Sequence, residues 1–148
     1  MRVLGGGLVR IADGSLEKLG QVTVVFTRLS ASYQPSQESA EAFAAGMADQ
    51  VVSSVRGARL KERPTTQLVR LGGQLAARIA FDVDGASGPF RFFQHTIAFN
   101  VWAPGGTYTL ELSTTGDNAR AFDALADDVA STIHLTHQAP PRPAPAAR

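Results

Sequence analysis

The segment QLAARIAFDVDGASGPFRFFQHTIAFNVWAPGGTYTLEL, residues 74–112, decides the fold. It holds three runs of apolar alternation separated by two glycine-containing turns, and an amphipathic helix pattern follows it. Successive side chains on a strand point to opposite faces, so Leu75, Ala77, Ile79, Phe81 and Val83 share one face while Gln74, Arg78, Asp82 and Asp84 share the other. That division predicts a half-buried antiparallel sheet. Residues 85–88 read as a turn, 90–102 as the next strand, and Ala103, Pro104, Gly105 and Gly106 as a second turn. The last strand is expected over 107–114, with Tyr108, Leu110 and Leu112 on one face.

Outward from this centre the signals stay regular. Residues 66–71 and 59–63 read as strands, the second one charged and held to an edge by Pro64. Pro35 and Ser36 precede an acidic first turn with Glu38 and Glu41. Behind them Ala40, Phe43, Ala44, Met47, Val51 and Val55 recur at three and four residues, which predicts a helix over 37–56 that stops near Gly57. A strand over 21–32 alternates Val22, Val24 and Phe26, and residues 8–11 read as a short strand joined to it through Asp13-Gly14. Past 114, Gly116 and Asp117 open a second helix with Phe122, Leu125, Ala126, Val129 and Ile133 in one stripe. The chain is therefore expected to form one domain over 1–137, followed by a Pro/Ala-rich disordered tail over 138–148.

Composition narrows the function classes. With 14 basic and 13 acidic side chains the net charge is +1, which leaves none of the electrostatic footprint of a nucleic-acid binder. The absence of cysteine removes disulfides, thiolate metal sites and a cysteine nucleophile. No stretch is apolar for the length of a membrane span, and the start lacks a signal-peptide pattern, so a soluble, cytoplasmic chain is expected.

No phosphate-binding loop, dinucleotide fingerprint or Gly-x-Ser-x-Gly elbow occurs. His134 and His137 are spaced for one helix face, yet the sequence offers no third ligand, so no metal and no cofactor are expected. His95 shares its strand face with Phe93, Ile97, Phe99 and Val101 and is expected to be a packed, hydrogen-bonded histidine and not a general base, since the sequence puts no carboxylate or nucleophile beside it. Asp82, Asp84, Asp127 and Asp128 read as solvated. No catalytic residues are assigned. The candidate binding surface is the other face of the same strand, where Phe90, Phe92, Gln94, Thr96, Asn100 and Trp102 mix apolar bodies with amide and hydroxyl groups. The competing reading is that the second helix simply covers that face.

The phrases LVRLGGQLAARIAFDVDG, FRFFQHTIAFNVW and GGTYTLELSTT, with ARAFDALADDVASTIHL after them, make residues 21–135 resemble the PsbP/DcrB-like superfamily. The resemblance implies an α+β fold: a mostly antiparallel sheet with two principal helices, built as an α/β/α sandwich. Its implied roles are binding roles: photosystem accessory subunits, bacterial lipoproteins, nuclear-transport cofactors, and chaperones that shield apolar segments of secretion-system effectors. The expected function is a non-enzymatic binding or chaperone-like adaptor that holds a protein segment on a sheet face. The alternatives are a structural subunit of a larger assembly, or a small hydrolase using His95. A protein partner is expected, and neither nucleic acid nor an integral membrane segment is.

Overall fold

The computed structural model describes residues 22–29, 35–103, 106–115 and 119–132. The expected strand over 8–11, the Asp13-Gly14 turn, Ile133, His134, His137 and the tail over 138–148 lie outside the described residues. Eight elements follow in order: β1 (Val22–Leu29), α1 (Gln37–Ser54), β2 (Ala58–Leu60), β3 (Thr65–Leu71), β4 (Gln74–Ser87), β5 (Phe90–Ala103), β6 (Gly106–Thr114) and α2 (Ala119–Ser131). The strands form one antiparallel sheet in the order β1-β6-β5-β4, and the far side of β4 is shared by β2 and β3. β3 lies against Gln74–Ala80, while the shorter β2 lies against Val83–Gly85.

Residues directly opposite in an antiparallel pair share a face, so the register sorts the core into two layers. Ile79 faces Ala98, Phe81 faces Thr96, and Ala77 faces Asn100, on the side that α1 covers. Ile97 faces Leu112 and Phe99 faces Leu110, on the side that α2 covers. The result is an α/β/α sandwich, and the periodicity of residues 74–112 anticipates both of its faces.

α1 starts where the sequence signals it. Ser36 is the N-cap, its hydroxyl accepting from the Ser39 N–H at 3.1 Å, while the Ser39 hydroxyl accepts from the Ser36 N–H at 3.2 Å. This reciprocal box satisfies two backbone donors that a helix start leaves unpaired. Ala40, Ala44 and Ala48 are its fully buried residues, four apart, and their small side chains let the helix lie close on β2, β3 and β4. α2 buries Phe122, Ala126 and Ala130 in the same spacing against β5 and β6.

Two expected boundaries move. The charged strand expected over 59–63 is only three residues long, Ala58–Leu60. The turn expected over 85–88 tightens to Gly88-Pro89, and β4 continues to Ser87. Gly85 is inside the strand: a Cβ there would collide with the Phe92 ring and with the carbonyl oxygen of Gly57. The glycine is required by close approach, not by a turn. Gly57, which ends the α1 connection at φ +78°, is equally tight against the Ala86 carbonyl.

Candidate functional site

β5 carries both sets of candidate residues, one on each face. On the α1 face, Phe90, Phe92, Gln94, Thr96, Asn100 and Trp102 do share one side of the strand, opposite Ser87, Gly85, Val83, Phe81 and Ala77 for the first five. Their surroundings differ steeply along the strand. Phe90 is 76% exposed at the hairpin end, Phe92 and Gln94 are half-buried, and Thr96, Asn100 and Trp102 are buried. Trp102 belongs to the core under α1, and Phe92 packs against the same core. The helix on this face is α1, whereas the second helix, α2, covers the opposite face.

The buried part of this face changes character from one edge to the other. Beneath α1 it is apolar; toward β6 it becomes polar, with Thr96, Asn100, Thr107 and Thr109 all buried. The Thr109 hydroxyl donates to the Asn100 side-chain oxygen at 3.3 Å, and the Gln94 amide donates to the Thr96 hydroxyl at 3.2 Å. Glu111 is on this polar half, opposite Ala98 and Val25. Among the described residues no cation pairs with it, and burial pushes its carboxyl above the ordinary glutamate range. The indole N–H of Trp102 has no acceptor among the described residues.

The α2 face of β5 holds a polar cluster that the sequence does not announce. His95 is buried beside the Phe122 ring, 5.6 Å between centroids in an edge-on contact. Its Nδ1 lies 2.5 Å from Asp82 Oδ1 on β4, and its Nε2 lies 2.6 Å from Asp123 Oδ1 on α2. The Arg78 guanidinium extends the chain: its Nη2 is 3.7 Å from Asp123, and its Nε donates to Asp127 at 2.8 Å. Two expectations are thereby corrected. His95 is packed and hydrogen-bonded as expected, but its partners are carboxylates, and Asp82, Asp84 and Asp127 are each paired and not simply solvated. The sequence hides this because Asp123 meets His95 only through tertiary packing, although the direct pairing of Asp82 with His95 follows from the β4–β5 register.

The chemistry of this cluster is that of a clamp. A neutral imidazole carries one N–H, so two carboxylate acceptors on its two nitrogens are satisfied by a doubly protonated ring or by a carboxyl that donates to it. In either state both nitrogens are occupied. Through its two ring nitrogens His95 thereby ties β4 to α2. Among the described residues there is also no group of side chains arranged to hold a metal ion.

A second group of contacts surrounds the free end of β5. Arg59 donates through Nε to Asp84 at 2.9 Å, and that carboxylate holds the guanidinium even further in its charged form. Lys61 carries its ammonium over the Phe93 ring, 5.5 Å from the centroid. Arg91 is exposed, and neither it nor Lys61 has a carboxylate partner among the described residues.

No family model and no characterised protein sequence matches this chain. Among solved structures, it is similar to PA94 from Pseudomonas aeruginosa, a candidate regulator of unknown function, with a TM-score of 0.51 and 10% identity over 79% of this chain and 74% of that one. It is also aligned with LpqN of Mycobacterium tuberculosis, a protein involved in cell-envelope biogenesis, at a TM-score of 0.40 and 14% identity, over 74% of this chain and 58% of the LpqN chain. The likeness to PA94 is one of fold: a mixed α+β sandwich with a mostly antiparallel sheet between two helices.

Proposed function

We propose that this protein is a non-enzymatic binding module of the PsbP/DcrB type, chaperone-like in action, that holds a segment of another protein at the hairpin end of β5. The observation that carries the reading is the exposure of Phe90, 76% of whose surface is open to solvent on the same strand face as the half-buried Phe92 and Gln94. Among the described residues Phe90 is the most exposed large apolar side chain, and with the half-buried Phe92 beside it on the strand face it forms an apolar patch at the head of the strand. The buried Thr96, Asn100 and Trp102 then support the surface from within and do not touch the partner.

The occupied nitrogens of His95 favour this reading over the small hydrolase. The structural-subunit reading uses the same surface and differs only in how long the partner stays. The test is photo-crosslinking in the native cell, with a benzophenone amino acid at position 90, at 92, and at the exposed Glu41 of α1 as a control. A partner of this surface is captured from 90 and 92 and not from 41, and Phe90→Ser at a neighbouring probe position reduces the yield. Equal adduct patterns from 90 and 41 would sink the proposal. Trp102→Ala is a poor probe, because it would damage the core under α1.

A further inference from the structure

The track of β6 ends before that of β5 does. Thr114, the last residue of β6, lies opposite His95, so among the described residues Phe90–Gln94 have ladder partners only in β4. The direction of their backbone groups follows from the alternation of an antiparallel ladder. The Lys61 N–H donates to the Asp82 carbonyl at 3.1 Å, which turns the even-numbered residues of β4 toward β2 and its odd-numbered residues toward β5. The even-numbered residues of β5 answer them, and Arg91 and Phe93 therefore direct N–H and C=O the other way, along the line that β6 has left.

We infer that Phe90–Gln94 form a docking edge for an extended segment of a partner protein, added as a strand in line with β6, in which apolar residues alternate with acidic ones. The inference rests on the binding-module reading and specifies the partner. The slot spans about 17 Å, the length of a five-residue strand. A strand seated there aligns one set of side chains with Phe90, Phe92 and Gln94 on the α1 face, which calls for apolar residues. Its alternate side chains fall beside Arg91 and Phe93 on the α2 face, where the unpartnered Arg91 and the Lys61 ammonium over Phe93 call for carboxylates. This is recognition by backbone pairing for affinity and by alternating side chains for selection.

Two other occupants fit less well. A second copy of the chain paired edge to edge would bring two Arg91 side chains and two Lys61 side chains together, an arrangement of like charges that protects edges from self-association. The chain's own segments over 1–21, 30–34, 116–118 and 133–148 contain no run in which apolar and acidic residues alternate.

The experiment uses the full chain and three labelled heptapeptides followed by fluorescence anisotropy: alternating glutamate and valine, alternating lysine and valine, and the first peptide with its central amide N-methylated. Saturable binding of the glutamate peptide is expected, with loss on N-methylation, because a strand without its N–H cannot complete the ladder. Arg91→Glu is expected to weaken the glutamate peptide about tenfold and to bring the lysine peptide up by a similar factor. Phe90→Ala, an exposed position that leaves the core intact, weakens both peptides. Equal binding of the methylated peptide, or an unchanged preference in Arg91→Glu, overturns strand addition or its charge selection respectively. If crosslinking at 90 captures a partner that the glutamate peptide does not displace, this inference fails while the binding-module reading stands. If nothing is captured at 90, the broader reading fails first.

Discussion

Gly85 and Glu111 are two residues whose neighbours decide their worth. A Cβ at Gly85 would meet the Phe92 ring on one side and the Gly57 backbone on the other, and a backbone carbonyl cannot swing away as a side chain tip can. Gly85→Ala is expected to cost about 1–3 kcal/mol of stability, the usual range for overpacking, read as a lower urea midpoint with an unchanged slope. A neutral result would mean that β2 and the Gly57 connection yield freely. The sequence marks this glycine but misassigns it to a turn, because a strand glycine and a turn glycine are written alike and only the opposing ring tells them apart. Glu111 acts through pH. Burial raises its carboxyl in the folded protein above its unfolded value, so in the interval between the two the folded chain keeps a proton that the unfolded chain has released. Stability therefore falls as pH rises through that interval and stays lower above it. Glu111→Gln is expected to raise the thermal midpoint at neutral pH and to lose that gain below the ordinary glutamate range. A gain of equal size at pH 3 and pH 7 would assign the effect to packing and not to charge.

The helices are held to the sheet by different means. α1 is capped, close and apolar, with three alanines against β2, β3 and β4. α2 adds to its apolar stripe the line Asp82–His95–Asp123, with Arg78 joining Asp123 to Asp127. His95→Gln removes the double acceptor geometry and strands one of the two carboxylates, and hydrogen bonds to charged groups are worth about 1.5–3 kcal/mol each. Amide exchange over 119–131 should therefore speed up while exchange over 37–54 stays as it was. Uniform acceleration in both helices would mean that the cluster stabilises the sheet as a whole. How far each element was legible in the sequence follows the same division. The period-two faces of β4, β5 and β6 and the stripes of both helices could be read directly, since burial repeats along them. The alternation at Phe90–Trp102 puts these residues on one side of the strand, as the register does, but carries no gradient of exposure, because the helix that covers part of that side lies far away in the chain. The carboxylates around His95 come from separate elements, and their meeting has no local signature.

At the scale of the molecule, one sheet divides two cores that share no side chain. Ile79 belongs to the layer under α1 and Leu112 to the layer under α2, and both are fully buried. Ile79→Ala and Leu112→Ala should each cost about 2–5 kcal/mol. Their double variant should lose the sum to within about 0.5 kcal/mol, as independent sites do. A strongly non-additive double would show that the sheet transmits strain from one layer to the other. The order of the strands has one more outcome. β3, β4, β5 and β6 are consecutive in sequence and adjacent in space, so each can pair as soon as its neighbour exists, whereas β1 pairs with β6, the last strand, and is separated from it by all the other strands. On a ribosome, where the chain emerges at about 5–20 residues per second, β1 leaves the exit tunnel well before the strand that receives it. Throughout that delay its backbone donors and acceptors remain open to whatever the cell supplies, so a synonymous change that slows translation between Leu29 and Gly106 would lengthen the exposure without altering a single residue of the finished protein.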